Sequence, residues 1–200
     1  TLAPVEVISA EGLETIEHAL SRWSETTFMM VILAFFGIGG VFPPEFIEEK
    51  NYFFRLSAYQ EPLLRLYHER PDLVLPSFRY NEARSFIERG LDDISVSRAS
   101  QSWGVPVPWD PTQVVYVWVD ALINYWSALA FASPGDDLRP RFWLEVRHLL
   151  AKDILKFHCV IWPALLLAAG LDVPRQLFVH GYLLLDERKM SKSAGNVIDP

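Results

Sequence analysis

Two periodicities of apolar residues run along this chain, and they predict its elements. Leu63, Leu64 and Tyr67 recur at helical spacing within Tyr59 to His68, and Pro71 follows as a stop. A second short helix is expected over Asn81 to Glu88, with Asn81 as cap and Gly90 as terminator. Asp93 to Arg98 alternates as a strand does, whereas Trp103 to Pro108 reads as a proline-stiffened extended loop. After an Asp110-Pro111 turn, Val114 to Trp118 is a continuous β-branched and aromatic run, the pattern of a buried parallel strand. Asp120 is then placed to cap a helix through Ala130, with Ile123, Trp126 and Ala130 on one stripe and Ser133-Pro134-Gly135 at its end. A short strand is expected at Val146 to Leu150. Asp153 opens a largely apolar helix that Gly170 ends, and Pro163 inside it demands a kink or break. Gln176 to Gly181 reads as a short strand ending at a glycine. Strand, helix, strand, helix, strand is the order of a doubly wound α/β sheet.

The first 44 residues fit this scheme less well. Ser9 to Trp23 has the cap and stripe of a helix, with Leu13, Ile16, Ala19 and Leu20 on one face. Phe28 to Phe42 carries no charge. It is shorter than the roughly 20 residues a membrane span needs, and its flanks are acidic. No basic region precedes it closely, as a signal peptide requires. A buried strand and glycine turn is the preferred reading, and Pro43-Pro44 marks a boundary.

Composition narrows the functional classes. Half the residues are hydrophobic and 14% are aromatic, enough for a sizeable core, while the formal net charge is -7. That balance argues against a broad nucleic-acid-binding face. The single cysteine, Cys159, excludes an internal disulfide framework and a cysteine-only zinc site, and fits a reducing compartment. The chain starts at Thr1 and closes on Val197-Ile198-Asp199-Pro200; both ends read as cuts through a longer protein.

Three blocks carry candidate chemistry. Arg188-Lys189-Met190-Ser191-Lys192-Ser193-Ala194-Gly195-Asn196 is a cationic, hydroxyl-rich turn after an apolar strand. Ammoniums and free backbone N–H groups there suit a polyphosphate, although a solvated basic turn has the same composition. A Ser-Lys nucleophile is disfavoured, because Ala194 and Asn196, not lysines, stand three residues after Ser191 and Ser193. Trp118 to Tyr125 sits where a strand meets a helix. Its aromatics can wall an apolar side chain, or they can simply be core. In Lys152 to His158, Asp153 can accept hydrogen bonds from ligand hydroxyls. Ile154 and His158 share a helical face that could look into a pocket, or His158 can be a satisfied core residue. His158, Cys159 and His180 have no metal-ligand spacing.

Taken together, the blocks resemble the methionyl-tRNA synthetases of class I, from about Asn51 to Pro200. Lys189-Met190-Ser191-Lys192-Ser193 matches the second signature of the class. Trp118-x-Asp120-Ala121 and Asp153-Ile154-x-x-Phe157-His158, together with Asn51 to Ser57 and Trp103 to Pro106, point to the methionine branch. The resemblance implies an α/β fold: the second half of a Rossmann-like nucleotide-binding domain (101–200), preceded by part of an inserted connective domain (45–100), with residues 1–44 unassigned. It implies ATP-dependent activation of methionine and transfer to initiator and elongator methionine tRNA, in the cytoplasm and without a membrane. Trp118, Ala121, Tyr125, Ile154, Phe157 and His158 would line the methionine pocket. Lys152, Asp153, His180, Gly181, Lys189, Ser191 and Lys192 would meet ATP, taken as its Mg2+ complex, with Lys189 and Lys192 acting on the departing pyrophosphate. The His-x-Gly-His signature and the zinc-binding cysteines of the inserted domain do not occur in this sequence, and Ala151 stands where the family usually has glycine. A non-catalytic remnant serving as a binding module is the alternative reading.

Overall fold

The structure is a computed structural model that describes residues 50–131, 135–185 and 187–198. The helix expected over Ser9 to Trp23, the strand expected over Phe28 to Phe42, the Pro43-Pro44 boundary and the Ser133-Pro134 stop lie outside them.

A parallel sheet forms the centre. β2 (Val74–Leu75), β7 (Arg147–Ala151) and β8 (Gln176–His180) lie in the order β2-β8-β7, both pairs parallel. In β8, Leu177 and Val179 are buried and Phe178 is exposed; in β7, His148 and Leu150 are buried and Leu149 is exposed. This is period-two alternation with one covered face. Helices α1 (Gln60–Glu69) and α2 (Ser77–Glu88) pack on each other, and α1 also packs on α5 (Trp162–Ala168). Their buried residues recur four apart, Leu63 with Tyr67 and Ala83 with Ile87. The sheet strand β2 therefore comes from residues that sequence reading placed in the connective insert.

Around this centre lie short antiparallel sheets. β1 (Phe53–Phe54) pairs with β3 (Ile94–Ser95), and β4 (Ser97–Arg98) and β5 (Pro106–Val107) flank β6 (Asp110–Val115). Gly104 is required here. A Cβ at that position would stand 2.8 Å from Val114 Cβ, at a φ of +153°.

Several expectations are corrected. Val114 to Trp118 is not a parallel strand: β6 is antiparallel to both neighbours and ends at Val115. Its partner β5 is adjacent in sequence, joined by a tight turn, and only antiparallel pairing permits that. Asp110-Pro111 begins β6 rather than forming a turn. Val117 and Trp118 already belong to helix α3 (Val117–Phe131), because the Tyr116 carbonyl accepts from the N–H groups of Val119 and Asp120. Asp120 thus lies inside the first turn and is not the cap. Asn81 is likewise interior to α2, whose first carbonyl acceptor is Pro76. The expected strand at Asp93 to Arg98 is two, β3 and β4, because Val96 changes partner. Its N–H donates to Tyr52 while its carbonyl accepts from Tyr116.

The apolar helix expected from Asp153 to Gly170 is broken in a specific way. A 3-10 turn, Lys152–Ile154, leads into a π-helical turn, Phe157–Ile161, and α5 begins only at Trp162. Pro163 has no N–H to give the Cys159 carbonyl, the acceptor four residues earlier. The Tyr67 hydroxyl donates to that carbonyl instead, at 2.6 Å. Burial raises the Tyr67 phenol well above its ordinary range, so it stays a donor. Among the described residues no helix is long and apolar enough to cross a membrane.

Candidate functional site

In the parallel register Ala151 lies opposite His180, so β7 and β8 end side by side. Ligands of open α/β sheets bind at carboxyl ends of this kind. Lys152-Asp153 leaves β7 there, and Gly181-Tyr182 leaves β8.

Two clusters adjoin through the segment 152–158. The first is aromatic. Trp118, in the first turn of α3, stacks on Phe157 of the π turn with ring centroids 4.0 Å apart and planes 14° apart. About two helical turns further on, the Tyr125 hydroxyl is 3.0 Å from His158 Nε2. His158 Nδ1 lies 3.1 Å from the Ile154 carbonyl oxygen. A carbonyl can only accept, so Nδ1 carries the proton and the neutral ring accepts the Tyr125 hydroxyl at Nε2. Burial lowers the His158 pKa, which maintains this neutral form, and burial raises the Tyr125 phenol, which keeps its proton. The π turn makes this geometry, since it presents Phe157 and His158 together toward α3. Ala121 lies on the same helix and is half-buried.

The second cluster is charged. Lys189 Nζ lies 3.7 Å from Asp153 Oδ2 and 3.8 Å from the Tyr182 ring centroid. Lys152 Nζ lies 4.5 Å from the same ring. A short hairpin, β9 (Leu184–Leu185) with β10 (Arg188–Lys189), delivers Lys189, and the Met190 N–H donates to the Leu183 carbonyl. Beyond it, Asn196 ties the turn: its Oδ1 accepts from the Ser191 N–H at 2.9 Å and its amide donates to the Lys189 carbonyl at 3.1 Å. Gly195 supplies the left-handed backbone, φ +67°, that ends the 3-10 turn Lys192–Ala194. Lys192 and Ser193 are exposed, and the Ser191 and Ser193 hydroxyls share a hydrogen bond. His180 turns its Nδ1 to the carbonyl of Gly181.

The structure thus unites Trp118 with Phe157, Tyr125 with His158 and Ile154, and Lys152 and Asp153 with Lys189. It does not bring Lys192 or Ser191 onto those groups. Cys159 is fully buried and its thiol is pushed up to about 12, so it offers no thiolate. Among the described residues no group of three His, Cys, Asp or Glu side chains is arranged to hold a metal ion.

Sequence reasoning missed two residues. His148, on the buried face of β7, packs against Tyr125 at 4.3 Å between centroids and lines, with Asn124 and Tyr125, a groove of about 420 Å³. Its Nε2 has no hydrogen-bond partner among the described residues, and its pKa is lowered to about 4 by burial and by His158. A polar residue at a core position of an alternating strand was the available signal. Tyr182 was the other, and its signal was an aromatic residue beside two candidate cation positions.

Comparison with known proteins bears on these clusters. Residues 38–200 match the family described as "tRNA synthetases class I (M)". That match starts ahead of Asn51, where the sequence resemblance was placed, and takes in the end of the uncharged run and Pro43-Pro44. A methionine–tRNA ligase of Rhizobium meliloti is 52% identical over 79% of this chain. One from Mycobacterium tuberculosis is 50% identical over the same share. The chain spans only 31% and 30% of these relatives' lengths. The crystal structure of Mycobacterium tuberculosis methionyl-tRNA synthetase bound by methionyl-adenylate superposes with a TM-score of 0.70 at 50% identity, covering 78% of this chain and 31% of that one. The apo form of the same enzyme gives 0.65.

Proposed function

The chain belongs to the class I tRNA synthetases of the methionine type, and from that premise we propose that it carries the second-half active-site elements of a methionine–tRNA ligase. The supporting observation is the continuity of the segment 152–158, which touches the aromatic cluster at one end and the charged cluster at the other.

In this reading the thioether of methionine lies among Trp118, Ala121, Tyr125, Ile154, Phe157 and His158. The stacked indole and phenyl rings suit a polarizable sulfur, and the Tyr125 hydroxyl, held by a neutral imidazole, is the polar group offered beside them. Lys152, Asp153, His180, Gly181 and Ser191 take the nucleotide, with Asp153 accepting from the ribose hydroxyls. The methionine carboxylate attacks the α-phosphorus of ATP, supplied as its magnesium complex, and pyrophosphate leaves. Charge moves onto that leaving group, and Lys189 and Lys192 stabilise it more than they stabilise bound ATP. In the ground state Lys189 is engaged with Asp153, so its transfer to phosphate accompanies nucleotide binding. A terminal ribose hydroxyl of the initiator or elongator tRNA then attacks the carbonyl carbon of the methionyl-adenylate, and AMP leaves. The proposed setting is the cytoplasm. Residues 101–200 belong to the nucleotide-binding half and 45–100 to the connective insert, with β2 of that insert segment pairing into the parallel sheet of the nucleotide-binding half.

ATP–pyrophosphate exchange dependent on methionine tests the reading. Exchange is expected when the chain is supplemented with an upstream piece bearing His-x-Gly-His, and Lys192→Ala should lower it at least a hundredfold. Absence of exchange with and without that piece would favour the second reading, a non-catalytic remnant.

A further inference from the structure

We infer that Tyr182 is a positioning residue whose ring holds the Lys152 and Lys189 ammoniums at the carboxyl ends of β7 and β8. The inference rests on the ligase reading in placing both lysines at the nucleotide site. Three observations carry it.

Both ammoniums approach one ring, at 4.5 Å for Lys152 and 3.8 Å for Lys189. Two like charges drawn to one place repel each other. The negative face of an aromatic ring offsets that repulsion without the fixed charge of a carboxylate. Asp153 is the only carboxylate that meets either ammonium among the described residues, at 3.7 Å from Lys189. One carboxylate and one ring thus serve two cations.

The ring is also well placed to be fixed. Tyr182 directly follows Gly181 at the end of β8 and precedes the β9–β10 hairpin. Lys152 comes from the end of β7, the paired neighbour, and Lys189 from β10. A single side chain therefore joins three elements whose backbones diverge. Tyr182 is half-buried while both lysines are exposed.

The function that follows is to hold the charged hairpin end over the site while leaving it free to leave. A bidentate ion pair would hold Lys189 more tightly and would compete with incoming phosphate. An aromatic face releases an ammonium to a triphosphate with little penalty.

Limited trypsin digestion of this chain tests the inference, with cleavage at Lys189–Met190 and Lys192–Ser193 followed by mass spectrometry. Tyr182→Leu and Tyr182→Met remove the ring, and each should speed cleavage at these bonds roughly five- to tenfold, as expected for two weak cation–π contacts. Tyr182→Phe keeps the ring and should cleave at the wild-type rate. Melting curves by circular dichroism should be unchanged in all three. Wild-type cleavage rates in both ring-deleted variants would overturn the inference, as would equal acceleration by Tyr182→Phe, which would assign the effect to the hydroxyl. A parallel digestion with magnesium-ATP separates the two claims. If ATP leaves wild-type cleavage unaltered even with the upstream His-x-Gly-His piece present, while ring deletion accelerates it, the positioning role stands and the ligase reading fails.

Discussion

His148 and His158 are both buried and both held below the usual imidazole range, yet their surroundings differ. His158 uses both nitrogens, one donating to Ile154 and one accepting from Tyr125. His148 has Nε2 without a partner among the described residues and a pKa of about 4. The unfolded chain binds a proton near pH 6.5 and the folded chain does not until about pH 4. The unfolded state therefore holds more protons across that window, and stability falls as pH is lowered through it. Asp120 acts in the opposite sense, because burial raises its carboxyl to about 6. His148→Phe removes the first effect and leaves the second. Urea unfolding of the two proteins at pH 7 and pH 4.5 should show the variant gaining about 2–3 kcal/mol relative to wild type on acidification. An unchanged difference would mean that His148 is solvated in the native state.

At the scale of elements, the π turn decides where Phe157 and His158 point, and within it the Cys159 carbonyl, which Pro163 cannot serve, takes its hydrogen bond from Tyr67. Proline removes one N–H, and a phenol on a distant helix replaces it. Tyr67→Phe leaves the Cys159 carbonyl buried without that donor. It should cost about 1–3 kcal/mol, read as a lower urea midpoint with unchanged slope. Proline at 163 could be read from the sequence as a break in the helix. The form of the break could not, because its acceptor lies 92 residues from its donor. Similarly, the β-branched run at Val114 to Val115 signalled a strand but not its partner. Apolar content alone does not distinguish a parallel strand from an antiparallel one half covered by loops. The helix at α3 was legible to within a turn, yet its start was misplaced because Asp120 is a good cap wherever it falls. The backbone instead used the carbonyl of Tyr116.

Across the whole molecule, the two parts assigned by sequence share a core. β2 pairs with β8, Tyr67 bonds Cys159, and α1 packs on α5. Residues 101–200 expressed alone lose β2 and its two covering helices, and the apolar face of β8 and α5 is uncovered. That fragment should show no cooperative thermal transition, whereas residues 50–200 should show one. The short motifs were legible in advance: the cationic turn, the Trp118-x-Asp120-Ala121 block and the Asp153 to His158 block all carried their chemistry in residue type and local spacing. Adjacent residues stay adjacent in any fold, so such motifs survive ignorance of the fold. Tertiary structure alone decided which side chains meet across elements. The stacking of Trp118 on Phe157, the hydrogen bond that sets the His158 tautomer, the unpartnered nitrogen of His148 and the two ammoniums on Tyr182 depend on strand register and helix docking. Those come from burial summed over the whole chain, and no window of sequence contains that sum.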